Sequence, residues 1–582
     1  MEYGFLNLLN LIGSLGLFIY GMKVMSEGIQ KAAGNRLKSI LGSMTKNRYL
    51  GVFSGLLITT LVQSSSATTV MTVSFVNAGL LSLIQSAGII MGANVGTTVT
   101  AWLVTYFGFK FDIVDITLPI IAIGLPMLFI QKGNWRFWAE FFIGFALLFY
   151  GLDLLKSSVP DVESNAGMLE FLQGFTNWGY GSYLFFILIG TLITIIVQSS
   201  SASMTITLIL LAEGWINFEI AAALVLGENI GTTITAWIAS LVGNVHAKRA
   251  ARIHSMFNII GVVWILVLFP FFLEAVNYVT MTLFDLNSPL TNYSSEELAA
   301  FTPEQLKARK DSVTFGLSTF HTLFNLVNVL LLIGFAQKLV DIAVRMVKPK
   351  DTDDEKYSLE YISGGMTSSV ELSLMEAQKE ISNYGRLVRK MMGFLSAIVT
   401  EKDPKSIKHN LQRIEKYEQI TDNIELEVSD YLIQVAKNEL TEQTSARIQS
   451  MLSIINDIER QGDIIYQMSK TMERKMESKV WFTPKQRDSI NAMFDKVDEA
   501  LECMNKNLDG PYEEADLEEA VKIEKELDQM RNKYRKSHLK SIEKGDYNIR
   551  AGLIFVDLIS TAEKLGDHVI NVSEATKGQN LE

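Results

Sequence analysis

The chain has 582 residues, of which 48% are apolar and 20% charged, with a formal net charge of −11 and a single cysteine. That length exceeds one soluble core, one cysteine excludes a disulfide framework or a thiolate zinc cluster, and the lack of a basic excess argues against a nucleic-acid face. The average charge hides a step: residues 1–345 hold 18 Lys+Arg and 19 Asp+Glu against 34 and 44 in the remainder, so an apolar membrane half precedes a charged soluble half.

The N-terminal run has no basic segment ahead of it and is expected to remain as a helix. A spanning helix needs about 20 mostly apolar residues, and seven stretches qualify: 4–24, 84–107, 115–131, 136–157, 219–243, 256–275 and 314–343. Two others, 50–78 and 185–213, are interrupted by Gln63-Ser64-Ser65-Ser66 and Gln198-Ser199-Ser200-Ser201. A non-helical break at membrane depth survives only inside protein or beside a watery cavity. Both stretches therefore read as re-entrant helical hairpins.

The sequence repeats internally. LVQSSSATTVMT (61–72) matches IVQSSSASMTIT (196–207), GANVGTTVTAW (92–102) matches GENIGTTITAW (227–237), and LFIYGM (17–22) weakly matches LFYGLD (148–153). The copies divide the membrane half into 1–131 and 132–345. Three crossings from one copy to the next invert the second, which is the organisation of a secondary transporter. Loops carrying Lys23, Lys31, Arg36, Lys38, Lys46 and Arg48, then Lys132 and Arg136, then Lys248, Arg249 and Arg252 mark the cytoplasmic side. The N-terminus is then outside, and seven crossings deliver the charged half into the cytoplasm.

At each break a restarting helix offers free N–H groups and a positive dipole end, which suits an oxyanion such as phosphate, while the helix that stops offers carbonyls to a hard cation such as sodium. Ser64, Ser65, Ser66, Ser199, Ser200 and Ser201 are the anion candidates. Gln63, Thr68, Gln198 and Ser203 are assigned to sodium. In the second motif pair Gly92, Gly96, Gly227 and Gly231 permit unwound backbone, and Asn94, Thr97, Thr98, Asn229, Thr232 and Thr233 supply oxygens. Glu228 stands where the first copy has Ala93 and is the carboxylate of these motifs; intramembrane ionisable groups are functional candidates. The competing reading is that small hydroxylated residues pack helices and that Glu228 faces a water cavity. HSMFN (254–258) and HTLFN (321–325) share a pattern within membrane helices, where an interhelical donor is the plainer role for the histidine.

These motifs resemble the type II sodium-phosphate cotransporter family over residues 1–345. The resemblance implies phosphate and sodium at the two QSSS tips. One departure is that the His-Asp-Phe-Phe-Asn block, which vertebrate members carry after the first GANIG-type motif, is absent from 103–135.

Residues 351–369 read as a linker, within a boundary segment 346–370. Residues 371–576 read as six amphipathic helices broken near 402–404, 438–444, 483–486, 509–513 and 545–547. Glu418/Asp422, Glu459/Asp463, Glu524/Asp528 and Glu563/Asp567 are i,i+4 carboxylate pairs on single helix faces, and IERQGDII (458–465) matches AEKLGDHV (562–569). A duplicated three-helix unit with two paired sites follows, of the kind that builds multi-metal centres; solvated acidic faces are the alternative. This half resembles PhoU, a phosphate-regulon regulator of two three-helix bundles, which implies iron-type or other divalent metal at those eight residues.

The fold class expected is all-α, a polytopic transporter followed by a cytoplasmic six-helix domain. The function expected is a non-enzymatic, sodium-coupled phosphate symporter in the plasma membrane. A phosphate or other oxyanion exporter and a phosphate sensor are the alternatives. The partners are inorganic phosphate, sodium ions and the lipid bilayer, with a homodimer allowed and nucleic acid excluded.

Overall fold

The structure is a computed structural model. It describes residues 5–33, 47–77, 81–111, 113–130, 134–160, 166–241, 243–293, 297–298, 300–348, 359, 362, 370–401, 403–437, 440, 442–510, 512, 515–545 and 548–577. Nearly all of the expected linker, and the loop residues Arg36, Lys38, Lys46 and Lys132, lie outside the described residues. The chain divides into two units, Met1–Lys350 and Asp351–Glu582, and among the described residues neither contains a strand.

The first unit is a succession of helices: α1 (Phe5–Ala33), α2 (Arg48–Val62), α3 (Ser65–Asn77), α4 (Leu83–Val104), α5 (Val114–Met127), α6 (Trp135–Ser158), α7 (Ala166–Gln173), α8 (Tyr180–Val197), α9 (Ser200–Ala212), α10 (Phe218–Gly231), α11 (Thr233–Leu241), α12 (Val245–Val267), α13 (Phe269–Phe284), α14 (Pro303–Leu332) and α15 (Ala336–Met346). Local chemistry starts many of them. Asn47, Asn217 and Asn244 cap α2, α10 and α12, and Ser82 with Gln85 and Thr302 with Gln305 form capping boxes on α4 and α14.

Among the described residues seven helical segments are long and apolar enough to span a bilayer, as expected in number, but the membership differs. Tyr180–Val197, expected as a hairpin arm, reaches spanning length at 18 residues. The expected span 115–131 is a 14-residue helix, because past Pro126 the backbone tightens into i→i+3 turns at Leu128, Phe129 and Ile130. The expected span 256–275 is two helices that meet at Leu268, before Pro270. Exposed Phe5, Phe129, Ile196 and Phe271 belong to an apolar exterior suited to lipid.

Glycines set the helix crossings. A Cβ on Gly21 would lie 2.3 Å from Leu148 N, and one on Gly144 would lie 2.2 Å from Met25 N, so α1 and α6 pack backbone to backbone. Likewise Gly55 and Gly92 close the α2/α4 crossing, with Cβ positions 2.0 Å from Ile89 O and 1.9 Å from Val52 O. Gly190 and Gly227, 135 residues on, do the same for α8/α10, at 2.2 Å from Leu224 O and 2.1 Å from Ile187 O. The expectation that Gly92 and Gly96 unwind the backbone is corrected here: α4 runs unbroken through both. Only the second copy is interrupted, by a turn at Thr232 between α10 and α11.

The second unit has the six helices expected: α16 (Val370–Thr400), α17 (Pro404–Ala436), α18 (Glu442–Glu477), α19 (Pro484–Asp509), α20 (Leu517–Glu543) and α21 (Ile549–Thr576). Pro404 and Pro484 occupy first-turn positions behind Asp403 and the Thr483–Gln486 capping box. The helices form two three-helix bundles, α16–α18 and α19–α21, joined through α16/α19 and α18/α21. Leu374, Ile381, Val388, Ile414, Ile458, Val497, Leu558 and Leu565 are among the apolar side chains of their shared core. Buried in the first bundle, Glu376 accepts from the Tyr431 hydroxyl at 2.9 Å, and its other oxygen has no partner among the described residues.

Gly92→Ala should destabilise the detergent-purified protein in a thermal melt by about 1–3 kcal/mol. Gly16→Ala, whose Cβ meets nothing within 4 Å, should stay within about 0.5 kcal/mol of wild type. Burial pushes the Glu376 carboxyl up to about 7 from its ordinary 4.5. The folded second unit thus holds this proton more tightly than the unfolded chain does, and its stability falls as pH rises from 4.5 through 7, on the order of 3 kcal/mol in all. Glu376→Gln should flatten that part of the melting profile and stabilise the unit above pH 7.

Candidate functional site

The two QSSS segments have the same local geometry. Gln63 ends α2 in the left-handed region at φ 55, ψ 26, and Gln198 ends α8 at φ 56, ψ 23. Each donates its N–H to a threonine carbonyl, Thr59 at 2.7 Å and Thr194 at 2.8 Å. A left-handed glutamine is costly, and its recurrence in both copies marks a built turn. Next, Ser64 Oγ accepts from Ala67 N at 3.1 Å and Ser199 Oγ from Ala202 N at 3.2 Å, so the first serine caps the restarting helix. Ser65, Ser66, Ser200 and Ser201 occupy its first turn, where N–H groups lack intrahelical acceptors. Their hydroxyls make no hydrogen bond among the described residues.

The surroundings differ between copies. Gln63 is buried; its amide donates to Thr60 O at 2.5 Å, and its carbonyl accepts from Thr100 Oγ1 at 3.0 Å. Thr59 Oγ1 donates to Thr68 Oγ1 at 3.0 Å. In the second copy Gln198 is exposed, and Thr235, at the place of Thr100, donates to Thr232 O at 2.9 Å. Thr194 Oγ1, at the place of Thr59, is buried with no partner among the described residues, while Ser203 donates to Ser199 O at 3.1 Å. The first tip is closed by three side-chain bonds that have no counterpart among the described residues of the second.

The motif helices interlock. The helix after each break packs on a helix of the other copy: α3 on α11, which follows the GENIGTT segment, and α9 on α4, which carries GANVGTT. Asn244 ties this arrangement to the end of α3 through Asn77, with its N–H and its amide both donating at 2.8 Å. Arg309 donates to Ala212 O at 2.9 Å, and Lys310 pairs with Glu213 at 2.7 Å, holding the negative end of α9.

Apart from Gln198, the sodium candidates are buried, and their hydrogen bonds go to separate partners. Asn94 Nδ2 donates to Asn258 Oδ1 at 2.7 Å. Glu228 accepts from Thr207 Oγ1 at 2.7 Å. Thr97, Thr98, Asn229 and Thr232 are turned to carbonyls of their own helices, Ala93, Val95, Val225 and Glu228. Thr233 is buried where α11 begins. His254 is fully buried with neither ring nitrogen partnered among the described residues. Thr100, Thr207 and Thr194 were missed by sequence reasoning. The signal for Thr100 was present, because the duplicated GTTxTAW segment extends to Thr100 and Thr235.

In the second unit, Glu418, Asp422 and Asp463 each bring a carboxylate oxygen within 4.8 Å of the others, joining α17 to α18. Glu459 lies beside them: burial and then the Asp463 charge raise its carboxyl to about 6. Glu524, Asp528, Glu563 and Asp567 share the matching face of α20 and α21, where Arg531 bonds both Asp528 and Glu563. Gly462 and Gly566 bring the paired helices close; a Cβ there would meet Thr421 Oγ1 at 3.3 Å and Leu527 Cδ1 at 2.7 Å.

With this geometry in hand, comparison with known proteins is specific. The model of the Na+/Pi-cotransporter family matches residues 17–157 and 166–286, and the PhoU domain model matches 381–472. YqeW of Bacillus subtilis, an uncharacterised protein, is 31% identical over 45% of this chain and 81% of its own length. This chain belongs to the Na+/Pi-cotransporter family. YjbB of Salmonella typhimurium, whose name puts it forward as an inorganic phosphate export protein, is 26% identical over 84% of this chain and 83% of its own. The rat sodium-dependent phosphate transport protein 2A is 40% identical over 16% of this chain and 14% of its own. No solved structure matches. The family is one of transport proteins, not of enzymes, and the PhoU domain follows the membrane unit as expected.

The difference between tips is testable by thiol labelling. The native Cys503 is buried and its thiol is pushed up to about 11 by that burial, so it stays silent. Val62→Cys, beside the closed tip, should react with a water-soluble maleimide more slowly than Val197→Cys. Thr100→Val, which removes the bond to Gln63, should raise the Val62→Cys rate and leave the Val197→Cys rate unchanged.

Proposed function

We propose that the chain carries inorganic phosphate across the membrane by alternating access, coupled to sodium. The observation that carries this reading is the pair of QSSS turns: matched left-handed glutamines, capped first serines, free hydroxyls on the next two, and helices that interlock the copies. A tetrahedral oxyanion needs several donors at once, and two helix N-termini with four serine hydroxyls offer them. The tips hold no lysine or arginine. Neutral donors bind less tightly than a fixed cation would, which suits a carrier that must release its cargo.

Sodium would take oxygens from Gln63, Thr68, Gln198 and Ser203 at the tips and from Glu228, Asn94, Asn229 and the adjoining threonines. Neutralising Glu228 and orienting the tip carbonyls would favour order in the anion site, so each ligand raises affinity for the other. Alternation would exchange the two tips, closing one as the other opens. The inverted-repeat reading needs residues 114–130 to cross once. The helix of 14 residues and three tightened residues give about 27 Å, close to a hydrocarbon core of about 30 Å. The basic loops would then face the cytoplasm, with the N-terminus outside and the PhoU domain inside as a regulator.

Export is the second reading, favoured by the name of YjbB and its alignment along most of both chains. Both readings use the same site and differ in the gradient that drives it. In proteoliposomes, labelled phosphate flux should rise with an imposed sodium gradient. Ser65→Ala with Ser200→Ala should lower it at least about tenfold, the order expected when two binding hydrogen bonds are lost. Undiminished flux in that variant would remove the tips as the anion site. Phosphate flux indifferent to sodium would leave export without sodium coupling.

A further inference from the structure

The two bundles of the second unit repeat one carboxylate motif, and the structure fills the two copies differently. In the second bundle the Arg531 guanidinium lies between Asp528 on its own helix and Glu563 on the next. It is a fixed cation with five N–H donors, and a divalent ion entering there would meet a like charge. In the first bundle the residue at the same register, three beyond the motif aspartate, is Glu425. The nearest basic group recorded there is Arg460, largely exposed and 3.8 Å from Glu459.

A second difference points the same way. Tyr384 of α16 is fully buried, and its hydroxyl has no partner among the described residues. It lies within electrostatic reach of Glu459, Glu425, Asp422 and Asp463. An unpartnered buried hydroxyl is expensive; beside a carboxylate cage it can donate to a metal-bound water or to a ligand carboxylate that metal binding re-aims. Helix α19, the counterpart of α16, contains no tyrosine.

We infer that the first bundle alone is a cation site, completed by Glu425 and positioned by Tyr384, and that Arg531 is the built-in cation of the second. The expected metal chemistry of the motif is the premise, and hard carboxylate oxygens suit manganese, ferrous iron or magnesium. Of the eight expected metal ligands, Glu418, Asp422, Glu459 and Asp463 keep that assignment, while Glu524, Asp528, Glu563 and Asp567 lose it to the arginine that Asp528 and Glu563 hold. The second bundle then carries its own cation in every metal condition, and only the first responds to metal supply.

The test is Mn2+ binding to the full chain, purified in detergent and stripped with chelator, followed by equilibrium dialysis and elemental analysis. Thermal melts check that each variant is folded. Asp422→Asn with Asp463→Asn should weaken Mn2+ binding by at least about tenfold, and Tyr384→Phe by about tenfold. Asp528→Asn with Asp567→Asn should leave affinity and stoichiometry as in wild type. Arg531→Glu, which gives the second bundle the first one's charge pattern, should add a second saturable set. Equal loss in the two double variants would overturn the inference. A wild-type chain with no saturable Mn2+ would overturn its metal premise and leave the transport reading untouched.

Discussion

The backbone break between two apolar helices, made once in each copy, is the constraint on which the first unit depends. A chain that leaves the helix inside a bilayer exposes N–H and C=O groups that lipid cannot satisfy. Here the break is held to two residues in each copy. A left-handed glutamine returns its N–H to the helix it ends, and a serine caps the helix that follows. What remains unpaired is the first turn of the restarting helix with its serine hydroxyls. The least expensive way to break the helix is therefore also a way to present donors to an anion.

Such turns are useful only if they are held together, and the glycines do this. Gly55 with Gly92, and Gly190 with Gly227, let each hairpin's first arm lie against the next helix at backbone distance. Gly21 and Gly144 bring α1 onto α6 in the same way, joining the two copies at their opening helices. Onto this frame each second arm reaches across to the opposite copy. The two turns have matching backbones, and the symmetry of the copies is broken by the interruption at Thr232 and by side-chain bonds at Gln63, Thr100, Thr59 and Thr68, each individually weak. A two-state element built from small terms is what a population shift requires.

The duplication itself was legible in the sequence, as were the QSSS tips, the six soluble helices and the four carboxylate pairs, because each rests on spacing or on residue chemistry. The extent of segment 115–131 was not, since an apolar run does not say where proline turns an α-helix into i→i+3 turns. Nor was the role of Gly92 and Gly96: glycine permits both unwound backbone and close packing, and only a neighbouring helix decides between them. The difference between Gln63 and Gln198 could not be read from identical QSSS segments, because it lies in the partners taken by Thr100, which bonds Gln63, and by Thr235, which bonds Thr232 O. The same limit applied to the second carboxylate motif. Arg531 stood in plain view at Asp528+3, but a helix periodicity does not tell whether a guanidinium turns inward between two acids or outward to solvent.

On the proposed function, the first unit is a carrier with one anion path that is open to one side at a time. Counterflow measures that property directly. In vesicles preloaded with unlabelled phosphate and diluted into labelled phosphate, the account predicts saturable uptake of label that overshoots its equilibrium level and then decays. Binding of labelled phosphate to the protein without any counterflow would contradict it, and would make the membrane unit a sensor that signals to the PhoU domain.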